Sequence, residues 1–330
     1  MSRAAVVVVA LSACASPNEP TEWSTVFHDL DRVALSVASP SPDDVYIVGG
    51  GVGAPGVPAL AMHWTGDTWR DLAPPGDETL WWVTTIADDV WMVGENGMVL
   101  RGRDDAFAVI AAPVPSTLFG AWAASRDDVW IVGGVPGAGA TDDNDVVLHW
   151  DGQQLVRDVS VPRRGVALLK VWGSSSDDLW IAGEQGTLWH RTANGWEDHA
   201  SGTSTLFSVH GCAPDDVYAI GGSRILHYDG RAWSAIGPVI YASAVGVACG
   251  PDGVLVTGTG GLKLRWERDT DTWTDEQIVE PWDTDFHGAA MDAGGGAWAV
   301  GGNFNQPSDD GPRVGVVAYH GARAPDGEHR

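Results

Sequence analysis

A chain of 330 residues holds one large all-β domain or two ordinary ones. Its 44 Asp and Glu against 19 Lys and Arg give a formal charge of −25, which repels phosphate backbones and excludes nucleic acid as a partner. Hydrophobic content is ordinary at 44%, but 18 Trp is several times the usual abundance and calls for a periodic use of that side chain.

In chain order, the first element is MSRAAVVVVALSACAS. Arg3 supplies a positive start, and Ala4 to Ala10 form an apolar run too short to span a bilayer. The run ends in Leu11, Ser12, Ala13 and Cys14, which resembles the lipobox of bacterial lipoprotein precursors. The resemblance implies a signal peptide over residues 1–13, lipidation at Cys14, and a short tether over 14–21. Residue 15 is Ala, where Asp would resemble the inner-membrane retention signal, so the expected location is the cell envelope, at the outer membrane. No later segment approaches eighteen consecutive apolar residues. The remainder, 22–330, is therefore expected as a water-soluble, monomeric body that touches the membrane through its lipid alone.

That remainder is repetitive. SPDDVYIVGG from 41, IADDVWMVGE from 86, SRDDVWIVGG from 125, SSDDLWIAGE from 175 and APDDVYAIGG from 213 are followed by the weaker GPDGVLVTGT from 250 and GGGAWAVGGN from 294. Equivalent positions step by 45, 39, 50, 38, 37 and 43 residues. A period near 40 with all-β content marks a propeller. In the fifth copy, Leu206 to His210 reads as an inner strand and Val217 to Ile220 as the second. Ile225 to Tyr228 is the third, and Ala232 to Ile236 the outermost after an Asp-Gly turn. Four strands in each of seven copies predict an all-β, seven-bladed β-propeller of antiparallel blades. The seventh copy has a third strand at Val314 to Tyr319 and no outer one; Glu22 to Val26 resembles the missing strand and is expected to close the ring. The DDVWIVG, G-x-LHW-DG and trailing Trp pattern resembles bacterial repeat propellers grouped with the BNR (Asp-box) and photosystem II assembly factor-like proteins, a likeness specific for fold and silent on activity.

The paired acids before each second strand, such as Asp127 with Asp128, read as turn residues whose carboxylates accept local backbone N–H bonds. His63, His149, His190 and His227 share a third-strand position with Arg101 and Arg265, an interchange that argues against metal ligation. Periodic Trp on the second and fourth strands reads as core. Trp122, Trp172 and His210 share an inner-strand position near the channel, and packing is the expected use there too. TGDTW at 65 and DTDTW at 269 are incomplete versions of the sialidase Asp-box. No HExxH, GxSxG or P-loop is present, and no GxGxxG precedes a helix.

Cys212 and Cys249 occupy one repeat position in consecutive copies and are disulfide candidates in an oxidising compartment. Against the bond stands the spacing of neighbouring inner strands, set beside the ~7 Å limit on Cα separation. Long connections between second and third strands in copies one, three and seven, GGGVGAPGVPA, GGVPGAGATDDND and GGNFNQPSDDGPR, mark one rim as the ligand face. Its candidate residues are Asp142, Asp143, Asn144, Asp145, Asn303, Asn305, Asp309 and Asp310. Asp142, Asp143 and Asp145 offer hard oxygen ligands for Ca²⁺, and no other cofactor is expected. The expected function is binding or scaffolding of a protein or glycan partner without catalysis. The rivals are a sialidase- or glycosidase-like enzyme and a lectin-like module.

Overall fold

The computed structural model describes residues 23–54, 56–103, 105–200, 202, 204–276, 284–304, 313–321, 325 and 327. Cys14, the signal and tether segments, Asn305, Asp309 and Asp310 lie outside the described residues.

Seven four-stranded antiparallel sheets follow one another around an axis. Blade four is representative, with Leu168–Ser175 innermost, then Asp178–Gly183, Leu188–Thr192 and Gly195–Asp198. The second strands are buried along nearly their whole length, as in DVWMVG of Asp89–Gly94, because each sheet is covered on both faces by its neighbours. Trp91, Trp180 and Trp298 on second strands have no exposed surface. Each meets a ring of the following blade: Trp298 crosses outer-strand Trp69 at 85°, Trp180 crosses outer-strand Trp233 at 86°, and Trp91 meets third-strand Trp150 at 5.7 Å.

Blade seven consists of Asp285–Met291, Ala297–Gly302 and Gly315–His320, and its outer strand is the N-terminal Trp23–Leu30. Trp23 pairs with His320, Thr25 with Ala318 and Phe27 with Val317, so the chain's two ends are hydrogen-bonded neighbours. The closing strand is longer than the sequence suggests. It runs on to Leu30, because Phe27 and Leu30 are buried against the last blade and Phe27 meets Trp69 of blade one edge-on at 5.4 Å.

The inner strand of blade five begins at Ser208, two residues later than read from the sequence. Leu206 donates its N–H to Gly183 of blade four instead of to a ladder partner in its own blade. The connection thereby joins neighbouring blades.

Candidate functional site: the axial cavity under the long loops

Each inner strand except that of blade five departs from ladder register near its start. The shift falls between Ala34 and Ser36, Leu80 and Trp82, Leu118 and Gly120, Leu168 and Lys170, Ala244 and Gly246, and Phe286 and Gly288. A bulge adds a residue without a ladder partner and re-aims its side chain. The residues at these bulges are Leu35, Trp81, Phe119, Leu169, Val245 and His287, and Phe207 holds the matching place in blade five. All but Leu35 line one axial cavity of about 350 Å³. Sequence reading missed this ring, since a bulge residue breaks the alternation by which inward positions are recognised. The one available signal is a large apolar residue one step out of phase, as in Trp81-Trp82.

Three of the cavity's walls come from the long loops of blades one, three and seven, through Val52, Pro136 and Phe304. The expected ligand face and the cavity mouth thus coincide in space. Arg313 ties two of these loops together, donating to Asn303 O at 2.9 Å within blade seven and to Gly51 O and Val52 O of blade one at 3.1 and 3.0 Å. Glu184 of blade four accepts Gly137 N–H of the blade-three loop at 3.0 Å and Ala167 N–H at 2.9 Å. Phe119, Trp81, His287 and Phe304 form a chain of edge-to-face contacts at centroid distances of 5.2, 5.6 and 5.1 Å.

Two ionisable groups stand in this apolar wall. His287 donates from Nδ1 to Leu35 O at 2.6 Å. Burial, with the Lys170 charge adding to it, pushes its pKa down to about 3, so the ring is neutral. Lys170 is 4% exposed; its Nζ donates to Phe119 O at 2.7 Å and lies 4.5 Å from the Trp82 ring centroid. Burial brings its pKa down to about 7.

The opposite mouth holds a smaller cavity of about 220 Å³, lined among others by Trp82, Trp122, Trp172, His210 and Met291. The two periodic Trp here pack against glycines of the next blade: a Cβ at Gly211 would lie 2.6 Å from Trp172, and one at Gly173 3.2 Å from Trp122. His210 accepts Cys249 N–H at 3.0 Å through Nδ1, and burial lowers its pKa to about 4.

The polar loop residues take structural parts. Asn144, 1% exposed, accepts Val135 N–H at 2.7 Å and donates to Gly139 O at 2.8 Å. Asp145 faces inward; its carboxylate accepts N–H bonds from Arg164, Gly165 and Val166 at 3.1, 2.7 and 3.2 Å. Asp142 and Asp143 are exposed and use their carbonyls, which accept Arg157 and Ser116. The expected Ca²⁺ triad therefore does not assemble among the described residues, because Asp145 caps backbone amides instead of facing its neighbours. Asn303 accepts Val314 N–H at 2.9 Å and closes the base of its loop. Cys212 and Cys249 are joined in a disulfide with Cα atoms 5.4 Å apart, well inside the separation that had argued against the bond. His190, Glu197 and His199 also approach metal-ligand spacing, but His190 Nε2 is already held by Asp178 at 2.6 Å.

The paired acids do something other than cap turns. The second of each pair receives the third-strand histidine: Asp44 with His63, Asp128 with His149, Asp178 with His190, and Asp216 with His227, at 2.7, 2.9, 2.6 and 2.9 Å. Each of these imidazoles lies flat on the second-strand aromatic, with interplanar angles of 11, 20, 4 and 22°. In blade two Arg101 replaces His and binds Asp89, which explains the interchange seen in sequence. Blade seven keeps its turn acid three residues early, where Asp292 accepts Gly294 and Gly296 N–H at 2.8 and 2.9 Å.

The fold and the axial mouth define a seven-bladed propeller with one loop-walled end. Neither a family model nor a curated protein matches the sequence. Among solved structures the chain is similar to YCF48 bound to D1 peptide, at 15% identity and a TM-score of 0.68, covering 94% of this chain and 99% of that one. It is also similar to YCF48 from Cyanidioschyzon merolae, at 12% identity and TM-score 0.66 over 91% and 98% of the two chains. The WD40 β-propeller domain of Doa1 follows at 11% identity, TM-score 0.66 and coverage of 91% and 98%. These likenesses establish the fold.

Proposed function

We propose that the chain is a binding propeller which captures a protein or peptide partner at the axial mouth walled by the loops of blades one, three and seven. It works outside the cytoplasm, held at the bacterial outer membrane by a lipid on Cys14 once residues 1–13 are removed. The observation that carries the reading is the convergence of Val52, Pro136 and Phe304 from three separate loops on one apolar cavity. Apolar concave sites with a few polar groups are the usual form of a binding site. A YCF48 structure holding the D1 peptide supports a peptide as the kind of partner such a ring accepts. The propeller positions and orients its partner.

The test is capture from envelope extract by the intact protein and by a form in which each long loop is replaced with the GENG turn of blade two. Partner capture lost on replacement, with an unchanged melting temperature, supports the reading. Capture that survives all three replacements refutes it. Membrane fractionation of a Cys14→Ala form tests the anchor separately: the substituted protein is expected in the soluble fraction, and a mature N-terminus without acyl mass overturns it.

A further inference from the structure

The chain contains two lysines, Lys170 and Lys263, and both are buried, at 4% and 0% exposure. Every other side-chain cation is an arginine or a histidine. Position 170 corresponds to Ser36, Gly120, Ser208, Gly246 and Gly288 in five other blades, where small side chains let neighbouring inner strands approach, and to Trp82 in blade two. A long amine at this place runs against the repeat. It also carries a cost, because burying an ammonium without an anionic partner is unfavourable.

Among the described residues Lys170 has no anionic partner to offset that cost. Its contacts there are one neutral carbonyl, Phe119 O, and the Trp82 ring face, which leaves two of the three N–H donors of an ammonium without a partner among the described residues. Glu184 shares the cavity, but its two oxygens accept the backbone N–H of Gly137 and Ala167. Trp81 Nε1 is buried in the same wall with no hydrogen-bond partner among the described residues. Lys170 and Trp81 thus line one chamber with Phe119, Phe207, Phe304 and Val245.

Building on the proposed binding mouth, we infer that this chamber is a site for a carboxylate borne on an aromatic or branched apolar group, with the Lys170 ammonium as its counter-ion. The carboxylate fills the unused donors, and its apolar body replaces water against the aromatic wall. The carrier is either a free small acid or the end of a bound chain, which share this chemistry. Since burial holds the Lys170 pKa near 7, anion binding takes up a proton and tightens as the amine charges. Across the cavity, His287 is neutral through this range, and the Glu184 oxygens accept the Gly137 and Ala167 amides.

The experiment uses the full chain and four probes: 3-phenylpropionate, its amide, and a short peptide ending in Phe with a free or an amidated terminus. Calorimetry is expected to detect a carboxylate form and not the matching amide. Affinity should weaken up to ~50-fold from pH 7 to 9, the limit in which only the ammonium binds, and should vanish in Lys170→Met. Binding by 3-phenylpropionate assigns a free acid, and binding by the peptide alone a chain end. Because lysine amines are so few, acylation followed by mass spectrometry gives a second readout, with the ligand protecting Lys170. Equal binding of acid and amide, binding that persists in Lys170→Met, or failure of both acids to bind overturns the inference. Partner capture that survives Lys170→Met while both acids fail overturns this inference alone. Carboxylate binding without partner capture leaves the inference standing and removes the protein-binding reading.

Discussion

Trp180 and His190 lie face to face, 3.9 Å between ring centroids and 4° from parallel, with the imidazole held at its Nε2 edge by Asp178. The stack fixes the second strand to the third, and the acid fixes the third to the turn before the second. His190→Ala removes both contacts and leaves a partly buried carboxylate with less compensation. It should cost roughly 2–3 kcal/mol in denaturant titration. A double-mutant cycle with Asp178→Asn should return a coupling of about 1 kcal/mol, whereas additive effects would show that the pair is not a unit.

Asp216 should govern part of the acid unfolding. Burial pushes its pKa up, but hydrogen bonds from His227, Tyr218 and Arg268 prevail and hold it at about 2, below the usual 3.8. Between these values the unfolded chain binds more protons, so the contribution is complete above pH ~4 and is lost as pH falls toward 2. Stability measured across that window should fall less steeply in Asp216→Asn than in the parent. Parallel profiles would dismiss the effect.

Reduction of the Cys212–Cys249 bond, which closes a separation of 37 residues, should cost about 3.5 to 4 kcal/mol in the chain-entropy account. Alkylation of the folded, unreduced protein should find no free thiol at either position. Two modified cysteines would contradict the bond.

How much of this was legible beforehand follows from what repeats. The DD-aromatic string recurs often enough to count blades, and an outer-strand pattern ahead of the first inner strand pointed to the closing strand. The His and Arg interchange was visible, yet its reason was not, because Asp178 reaches His190 across a hairpin that only a fold brings together. The axial ring was hidden for a different cause. Trp81, Phe119 and His287 share a bulge, not a residue type, so aligned copies show there only a mostly apolar position out of phase with its strand. Lys170 was passed over because a departure from a small-residue position, which blade two makes as well with Trp82, resembles ordinary variation until its surroundings are known. Asp145 misled in the opposite sense: an acid in a polar loop suggests solvent and cations, and this one has turned inward to hold three amides.

Removal of residues 15–27 should destabilise the ring severely, and removal of 15–20 should not. The longer deletion takes away Trp23 and Phe27, two buried aromatics at roughly 3–5 kcal/mol each, together with the first pairings to Gly315–His320. Equal melting temperatures for the two truncations would refute the closure.

The seam between Trp23–Leu30 and Gly315–His320 also makes the fold depend on synthesis passing His320. Blades one to six can collapse from neighbouring segments as they emerge, but the seam joins residues a whole chain apart, the slowest kind of pairing to form. Until then the third strand of blade seven offers an unpaired edge, and the first strand of the chain waits without a sheet. A product cut short before Gly315 never acquires the mate for that strand. The ring therefore distinguishes chains that carry Gly315–His320 from those that stop short of it, and the latter should be the species that proteases and aggregation remove.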